Sequence, residues 1–397
     1  MRLKNKISLT FLLFIFLSLS IQVQAKTSPS IKLGGALRFN YNYSDWIQES
    51  KKKGGEFGFD VFRLNAKGSY KNLLFDAEYR FYSSSSGGGM LKHGWVGYQF
   101  NPKHQIQVGL NSVPFGIMPY TANNFFFNIN YYLGLEDDAD MGIKYIYNDQ
   151  KNWEISLAFY KNSDINDFHS NKGISASRYG YDIAGRNKEV NQGNLQAIYR
   201  WGDNVKHEIG GSAQIGGIYN IDTEKTAHRS AFALHYLLSY KGWGLKTQYT
   251  TYNMSHKNSE FIVDPMDENG SNLIPNPDKN ADWVEMAAYG ANYNVATKAD
   301  TYIVGLSYNF PINKGILDDI TVYNDFSMMH KRVTGMKDSY QNVTGVLLSM
   351  GPIYTYLDYA LGKNHAWLGE EWTNAFAEGG ASNSWSARLN LNIGYYF

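Results

Sequence analysis

Apolar and polar residues alternate along much of the chain. Leu33, Leu37, Phe39, Tyr41 and Tyr43 alternate with Arg38, Asn40 and Asn42, and Trp153, Ile155, Leu157 and Phe159 with Glu154, Ser156 and Tyr160. Tyr302, Val304, Leu306, Tyr308 and Phe310 repeat the pattern, as do Leu389, Leu391, Ile393, Tyr395 and Phe397. Neighbouring side chains in a strand point to opposite faces, so each stretch predicts a strand with one apolar side. Strands are predicted near 31–43, 57–70, 73–83, 91–100, 103–112, 139–148, 151–162 and 191–201. Others follow near 206–218, 229–240, 243–254, 300–310, 316–330, 340–350, 352–362 and 385–397, making sixteen. Short turns (such as 71–72, 149–150 and 241–242) alternate with long connections at 44–56, 84–90, 113–138, 163–190, 219–228, 255–299, 331–339 and 363–384. The segment 283–294 has strand character, but a seventeenth strand would break the alternation, so it is placed inside the long loop.

Composition decides what this all-β pattern is for. Aromatic residues make up 16% of the chain, with 31 Tyr, yet mean hydropathy is negative. No linker or shift in composition marks a domain boundary. A transmembrane antiparallel β-barrel accounts for all of this. Lipid offers no hydrogen-bond partners, so the sheet must close, and alternate residues face hydrocarbon and water. A tube of about sixteen strands is too wide for its own side chains to fill, which predicts a water-filled lumen.

The opening residues read as an export signal. Arg2, Lys4 and Lys6 precede the apolar stretch 11–19, and Val23-Gln24-Ala25 offers a cleavage site. Residues 1–25 are therefore expected to be a signal peptide and 26–397 the barrel. Without those three basic residues, 34 Lys and Arg stand against 36 Asp and Glu. Nothing in that balance suits a nucleic-acid partner. There are no cysteines to form disulfides, and no cofactor or metal is expected. Expected partners are outer-membrane lipid and small hydrophilic solutes, with Phe397 resembling the terminal aromatic read by the barrel-assembly machinery of the Gram-negative outer membrane.

The third long connection, within NSVPFGIMPYTANNFFFNINYYLGLEDDAD (111–140), is aromatic, rich in Asn and free of Lys and Arg. Folded inward, it would narrow the lumen, with Tyr120, Asn123, Asn124, Asn128, Asn130, Tyr131 and Tyr132 as constriction residues. The Phe125–Phe127 run is expected to pack the loop against the wall. Glu136, Asp137, Asp138 and Asp140 form an acidic cluster that could hold Ca²⁺, attract cations, pair with wall arginines or end a solvated loop. Its spacing does not match an EF-hand loop. On the polar strand faces lie Arg38, Arg63, Lys67, Arg80, Lys144, Arg200, Lys246 and Arg388, several on strands that become neighbours when the barrel closes. Asp76, Glu78, Glu154, Glu208, Asp325 and Asp358 share the lumen. An anion path and a mutually paired wall are both open.

The fragments RLNAKGSYKNLLFDAEYRFY, GWVGYQFNPKHQIQVGLNSVPFG, YYLGLEDDADMGIKYIY and GPIYTYLDYALGKNHAWLG resemble the phosphate-selective porin O/P family. The resemblance implies a sixteen-stranded, homotrimeric outer-membrane channel with an inward third loop and an arginine-lined path, and Arg38, Arg63 and Arg80 match its basic wall. Those porins place Lys in the constriction, and 113–135 has none, so organic anions or sugars suit this loop as well as phosphate. Rival functions are an adhesin using the long loops, and a barrel hydrolase. The second lacks a convergent nucleophile and base, since His93, His104, His169 and His365 are scattered.

Overall fold

In the computed structural model, residues 28–164, 175–264, 266–267 and 272–397 are described. The expected signal peptide, His169 and parts of the loops 163–190 and 255–299 lie outside them. The first strands are β1 (Ser30–Ser44), β2 (Glu56–Tyr70), β3 (Leu73–Phe81), β4 (Gly89–Asn101), β5 (His104–Ser112), β6 (Ala139–Asn148) and β7 (Trp153–Asn162). After the short β8 (Asp182–Ile183) come β9 (Asn187–Trp201), β10 (Lys206–Asn220), β11 (Lys225–Tyr240) and β12 (Trp243–Met254). Four short loop strands follow: β13 (Phe261–Val263), β14 (Leu273–Pro275), β15 (Trp283–Ala288) and β16 (Ala291–Ala296). The last five are β17 (Lys298–Lys314), β18 (Leu317–Lys331), β19 (Ser339–Met350), β20 (Ile353–Lys363) and β21 (Trp385–Tyr396).

Strands β1–β7, β9–β12 and β17–β21 close one antiparallel barrel in chain order. Its sixteen strands are the sixteen expected. The seam joins the two ends of the sheet. The Gly35 amide donates to the Phe397 carbonyl at 2.9 Å, and the Phe397 amide donates back at 3.1 Å. A side chain at position 35 would meet the Arg63 carbonyl at 2.5 Å and the Phe397 ring at 2.6 Å, so only glycine fits there.

The outer face is apolar, with Leu37, Phe39, Leu157, Phe159, Leu234, Val304 and Leu306 all exposed. A soluble monomer does not expose so continuous an apolar belt, whereas the lipid-facing band of a transmembrane barrel does. Aromatic pairs cluster where strands meet the short turns: Trp153–Tyr199, Trp201–His207, Trp243–Tyr308 and Tyr98–Phe100. Such girdles belong at a membrane–water interface, where one side of each ring is wet.

The largest apolar core is not in the wall. It fills the lumen under the long loops, where Ile129, Tyr131, Tyr132, Ile183, Met286, Tyr293, Val295 and Phe376 pack together. The segment 283–294, placed inside a loop by sequence, does fold as strands. β15 and β16 make a hairpin turned by Tyr289 and Gly290 (φ 53° and 81°), and β15 also pairs with β8. Its polar backbone is satisfied inside the mouth, so it adds no strand to the barrel.

Candidate functional site

The connection 113–138 enters the lumen and is fastened to the opposite wall. The Gly116 amide donates to Ser212 Oγ (3.0 Å) and the Ile117 amide to Gln248 Oε1 (2.8 Å). Gly116, the glycine of the Pro-Phe-Gly fragment, has φ 64°, and a Cβ there would lie 2.6 Å from the Gln248 amide. Further along, Asp325 on β18 accepts from the backbone amides and side-chain amides of both Asn123 and Asn124, at 2.7–3.1 Å. Asn130 donates to Thr250 (3.1 Å) and accepts from Thr301 (2.7 Å). Lys246 Nζ donates to the Ala122 and Tyr120 carbonyls. Buried backbone groups need such partners, and the polar inner wall supplies them.

Open space lies between this loop and the wall of β1–β3 and β21. A cavity of about 540 Å³ is lined there by Arg38, Arg63, Arg80 and Arg388 on one side and by Tyr120, Asn123, Asn124, Tyr131 and Tyr132 on the other. Phe125, Phe126 and Phe127 border it as well. Phe125 and Phe126 pack toward Val343, Ala360 and Leu368, while Phe127 stacks on Tyr131 of the same loop with ring centroids 4.0 Å apart.

Carboxylates answer most of the arginines. Arg38 pairs with Asp60 at 2.7 Å, and Arg80 and Arg63 share Glu78 at 2.6 and 3.5 Å. Lys92 pairs with Asp137 at 2.8 Å. Arg388 differs. It donates to Ser44 Oγ (3.0 Å), lies 5.0 Å over the Trp46 ring, and makes no ion pair among the described residues. Four arginines and one carboxylate, Asp60, line the cavity; with Glu78, which Arg63 and Arg80 share, counted as well, two positive charges are in excess.

Asp60 and Lys92 were not singled out in the sequence. Each sits on a β-bulge. Arg38 is opposite Val61 while Phe39 is opposite Phe59, so Asp60 is the extra residue. Glu78 is opposite His93 while Tyr79 is opposite Leu91, so Lys92 is extra. A bulge lets two successive side chains break the alternation. Tyr82, Tyr179, Tyr181, Tyr289 and Trp367, also at the cavity, arrive from loops with no local period.

Other expected site residues stand elsewhere. Lys67 pairs with Asp76 at 3.2 Å near the turn end of β2, and Arg200 lies between Glu154 (3.0 Å) and Glu208 (2.6 Å). Lys144 donates to the Ser112 carbonyl at the root of the loop (2.7 Å), and Lys246 holds the loop itself. Asn128 and Asn130 are buried: Asn128 bonds within the loop, donating to the Thr121 hydroxyl and accepting from the Asn130 amide, and Asn130 faces the anchoring wall.

The acidic cluster divides. Asp137 faces Lys92 and accepts from the Tyr179 hydroxyl at 2.6 Å, whereas Asp138 and Asp140 are buried beside Asp182. Glu136 turns inside the loop and accepts from the Thr121 amide (2.8 Å) and hydroxyl. Burial raises its pKa from 4.5 to about 7 against those hydrogen bonds. The folded carboxyl therefore binds its proton more tightly than the unfolded one. Its contribution is fully present below about 4.5 and is lost as pH rises through about 7. Thermal melts of the folded barrel should show the wild type losing stability over that window relative to Glu136→Gln, which cannot ionise. Parallel curves would remove Glu136 as the cause.

Neither protein-family models nor curated proteins match the sequence. Solved structures match the fold. The anion-selective porin from Comamonas acidovorans aligns with a TM-score of 0.56 at 12% identity, over 93% of this chain and 100% of that one. The outer membrane channel DcaP of Acinetobacter baumannii gives 0.56 at 11% identity, over 94% and 99%. OprB of Pseudomonas putida gives 0.58 at 9% identity, over 94% of each chain. At such identities the likeness is one of fold.

Proposed function

We propose that this chain is a porin of the Gram-negative outer membrane, a passive water-filled channel for small hydrophilic solutes that prefers anions. The observation that carries the preference is the cavity wall, where four arginines stand against Asp60 and the Glu78 that two of them share, and Arg388 has no counter-charge among the described residues. Fixed charge in a narrow low-dielectric passage concentrates the opposite ion. The porin folds among the structural neighbours, the anion-selective porin from Comamonas acidovorans one of them, support the channel part of this reading. Arginine forks onto carboxylate or phosphate, and the tyrosines opposite offer hydroxyls and ring faces, so organic anions and phosphate-like solutes are the proposed cargo. The sequence departure over lysine is partly made good by Lys92, delivered from β4. Homotrimer assembly and delivery through Phe397 belong to the same proposal. No catalytic role is part of it.

The test is reversal potential across a planar bilayer holding the purified barrel under a KCl gradient. A discrete conductance with chloride preference is expected. Potassium preference would overturn the anion reading, and a folded barrel without conductance would overturn the channel.

A further inference from the structure

Where the inward loop returns to β6, three carboxylates converge from two places in the chain. Asp138 ends the loop, Asp140 is in β6, and Asp182 is in β8. One oxygen from each lies within 4.8 Å of the others. All three residues are deeply buried, at 5%, 1% and 0% exposure. Gly180 permits the approach, since a Cβ there would lie 2.8 Å from one Asp182 oxygen and 3.0 Å from one of Asp138.

A second observation is independent of that clustering. Asp138 Oδ2, Asp140 Oδ1 and Asp182 Oδ1 have no hydrogen-bond partner among the described residues. The other oxygens are served: Asp138 Oδ1 by the Ala139 amide (2.8 Å), Asp140 Oδ2 by Gln192 (3.1 Å) and Asp182 Oδ2 by Arg178. The surrounding charge does not balance. Asp164 and Glu189 bring the carboxylates to five, against Arg178 and Arg229. Arg178 pairs with Asp164 and Asp182 and Arg229 with Glu189, so neither reaches Asp138 or Asp140 in an ion pair. Buried carboxylates without a counter-charge are strongly unfavourable.

We propose that Asp138, Asp140 and Asp182 bind one hard divalent cation, calcium by preference, which fastens the root of the inward loop to the strand of the neighbouring loop. Calcium takes oxygen ligands at about 2.3–2.6 Å in adaptable geometry, so two of its ligands stand at most about 5 Å apart. The observed spread fits that limit. Magnesium, with bonds of about 2.0–2.1 Å and strict octahedral geometry, would need the oxygens drawn closer. Carboxylate oxygen alone, without nitrogen or sulfur donors, disfavours zinc.

The test uses the full-length folded barrel, stripped with EDTA and then equilibrated with calcium chloride. Calcium per chain is read by atomic emission after gel filtration, and thermal stability with and without the metal. One ion per chain is expected, with a dissociation constant no weaker than the roughly 10⁻³ M of exposed calcium modules. Calcium should raise the melting temperature of the wild type. Asp138→Asn and Asp140→Asn should lose the ion and the response together, and both should be at least as stable as the stripped wild type because each removes one repelling charge. Absence of binding to the folded wild type at millimolar calcium would overturn the proposal and leave protons as what balances the carboxylates. Undiminished binding in the folded variants would overturn it too, by placing the ion elsewhere. Should neither variant fold, the presence or absence of a calcium-induced rise in wild-type melting temperature decides.

Discussion

Replacing Asp325 by alanine is expected to widen the channel, seen as a higher and noisier single-channel conductance with weaker discrimination between ions. This carboxylate is the single most used anchor of the inward loop, accepting four hydrogen bonds from Asn123 and Asn124. Hydrogen bonds to a charged group contribute about 1.5–3 kcal/mol each, so even with partial compensation the loop loses several kcal/mol of attachment. Two backbone amides are also left without an acceptor. Lys246 beside it still grips two loop carbonyls, so Asp325→Ala combined with Lys246→Met should go further than either alone. The barrel itself should persist, because its ladder bonds do not involve the loop. Planar-bilayer recordings make the check. A conductance unchanged in the double variant would show that the remaining contacts through Gly116, Ile117 and Asn130 hold the loop unaided.

Arg388→Ala is expected to produce a marked loss of anion preference, and a neighbouring pair provides its control. Removing an uncompensated charge that a passing ion meets at about 4 Å changes its energy by about 1 kcal/mol in water, roughly fivefold in the permeability ratio, and by more in a confined passage. Arg38 carries the same charge but is tied to Asp60 at 2.7 Å. Arg38→Ala should therefore leave a bare carboxylate and also favour cations, whereas Asp60→Ala should strengthen anion preference. The Arg38→Ala, Asp60→Ala double variant should return close to the wild type. Reversal potentials of the four variants in one salt gradient test the set. Equal values for Arg388→Ala and the wild type would remove the wall at that point from the ion path.

The barrel was legible because its constraints are local and repeated. Period two recurs across sixteen strands, joined alternately by eight long loops and seven short turns, and a misplaced strand would have disturbed every later turn. Segment 283–294 shows the limit. Its strand character was real, but only the parity of the connections kept it out of the wall, and nothing local revealed that it pairs with β8. The basic wall was partly legible. Arg38, Arg63, Arg80 and Arg388 meet at the cavity because β21, β1, β2 and β3 are neighbours. Lys144 and Lys246 share the inward face, yet Lys144 donates to the Ser112 carbonyl where the loop begins and Lys246 to carbonyls of the loop itself. Which wall residues a loop covers depends on where it lands after crossing the lumen, and contacts such as Asn123 to Asp325 span some two hundred residues of sequence. Tyr179, Tyr181 and Tyr289 reach the cavity from loops in the same way, with no local signal.

The two bulges have a consequence for how such a channel can change over generations. Deleting Asp60 from β2 would restore strict alternation between Phe59, which faces out, and Val61, which faces in. Deleting Lys92 from β4 would do the same for Leu91 and His93. In either case the lipid-facing residues keep their places, and the lumen loses one charge of chosen sign. Loss or gain of a single codon can thus retune the ion path while the surface that the membrane inspects stays as it was.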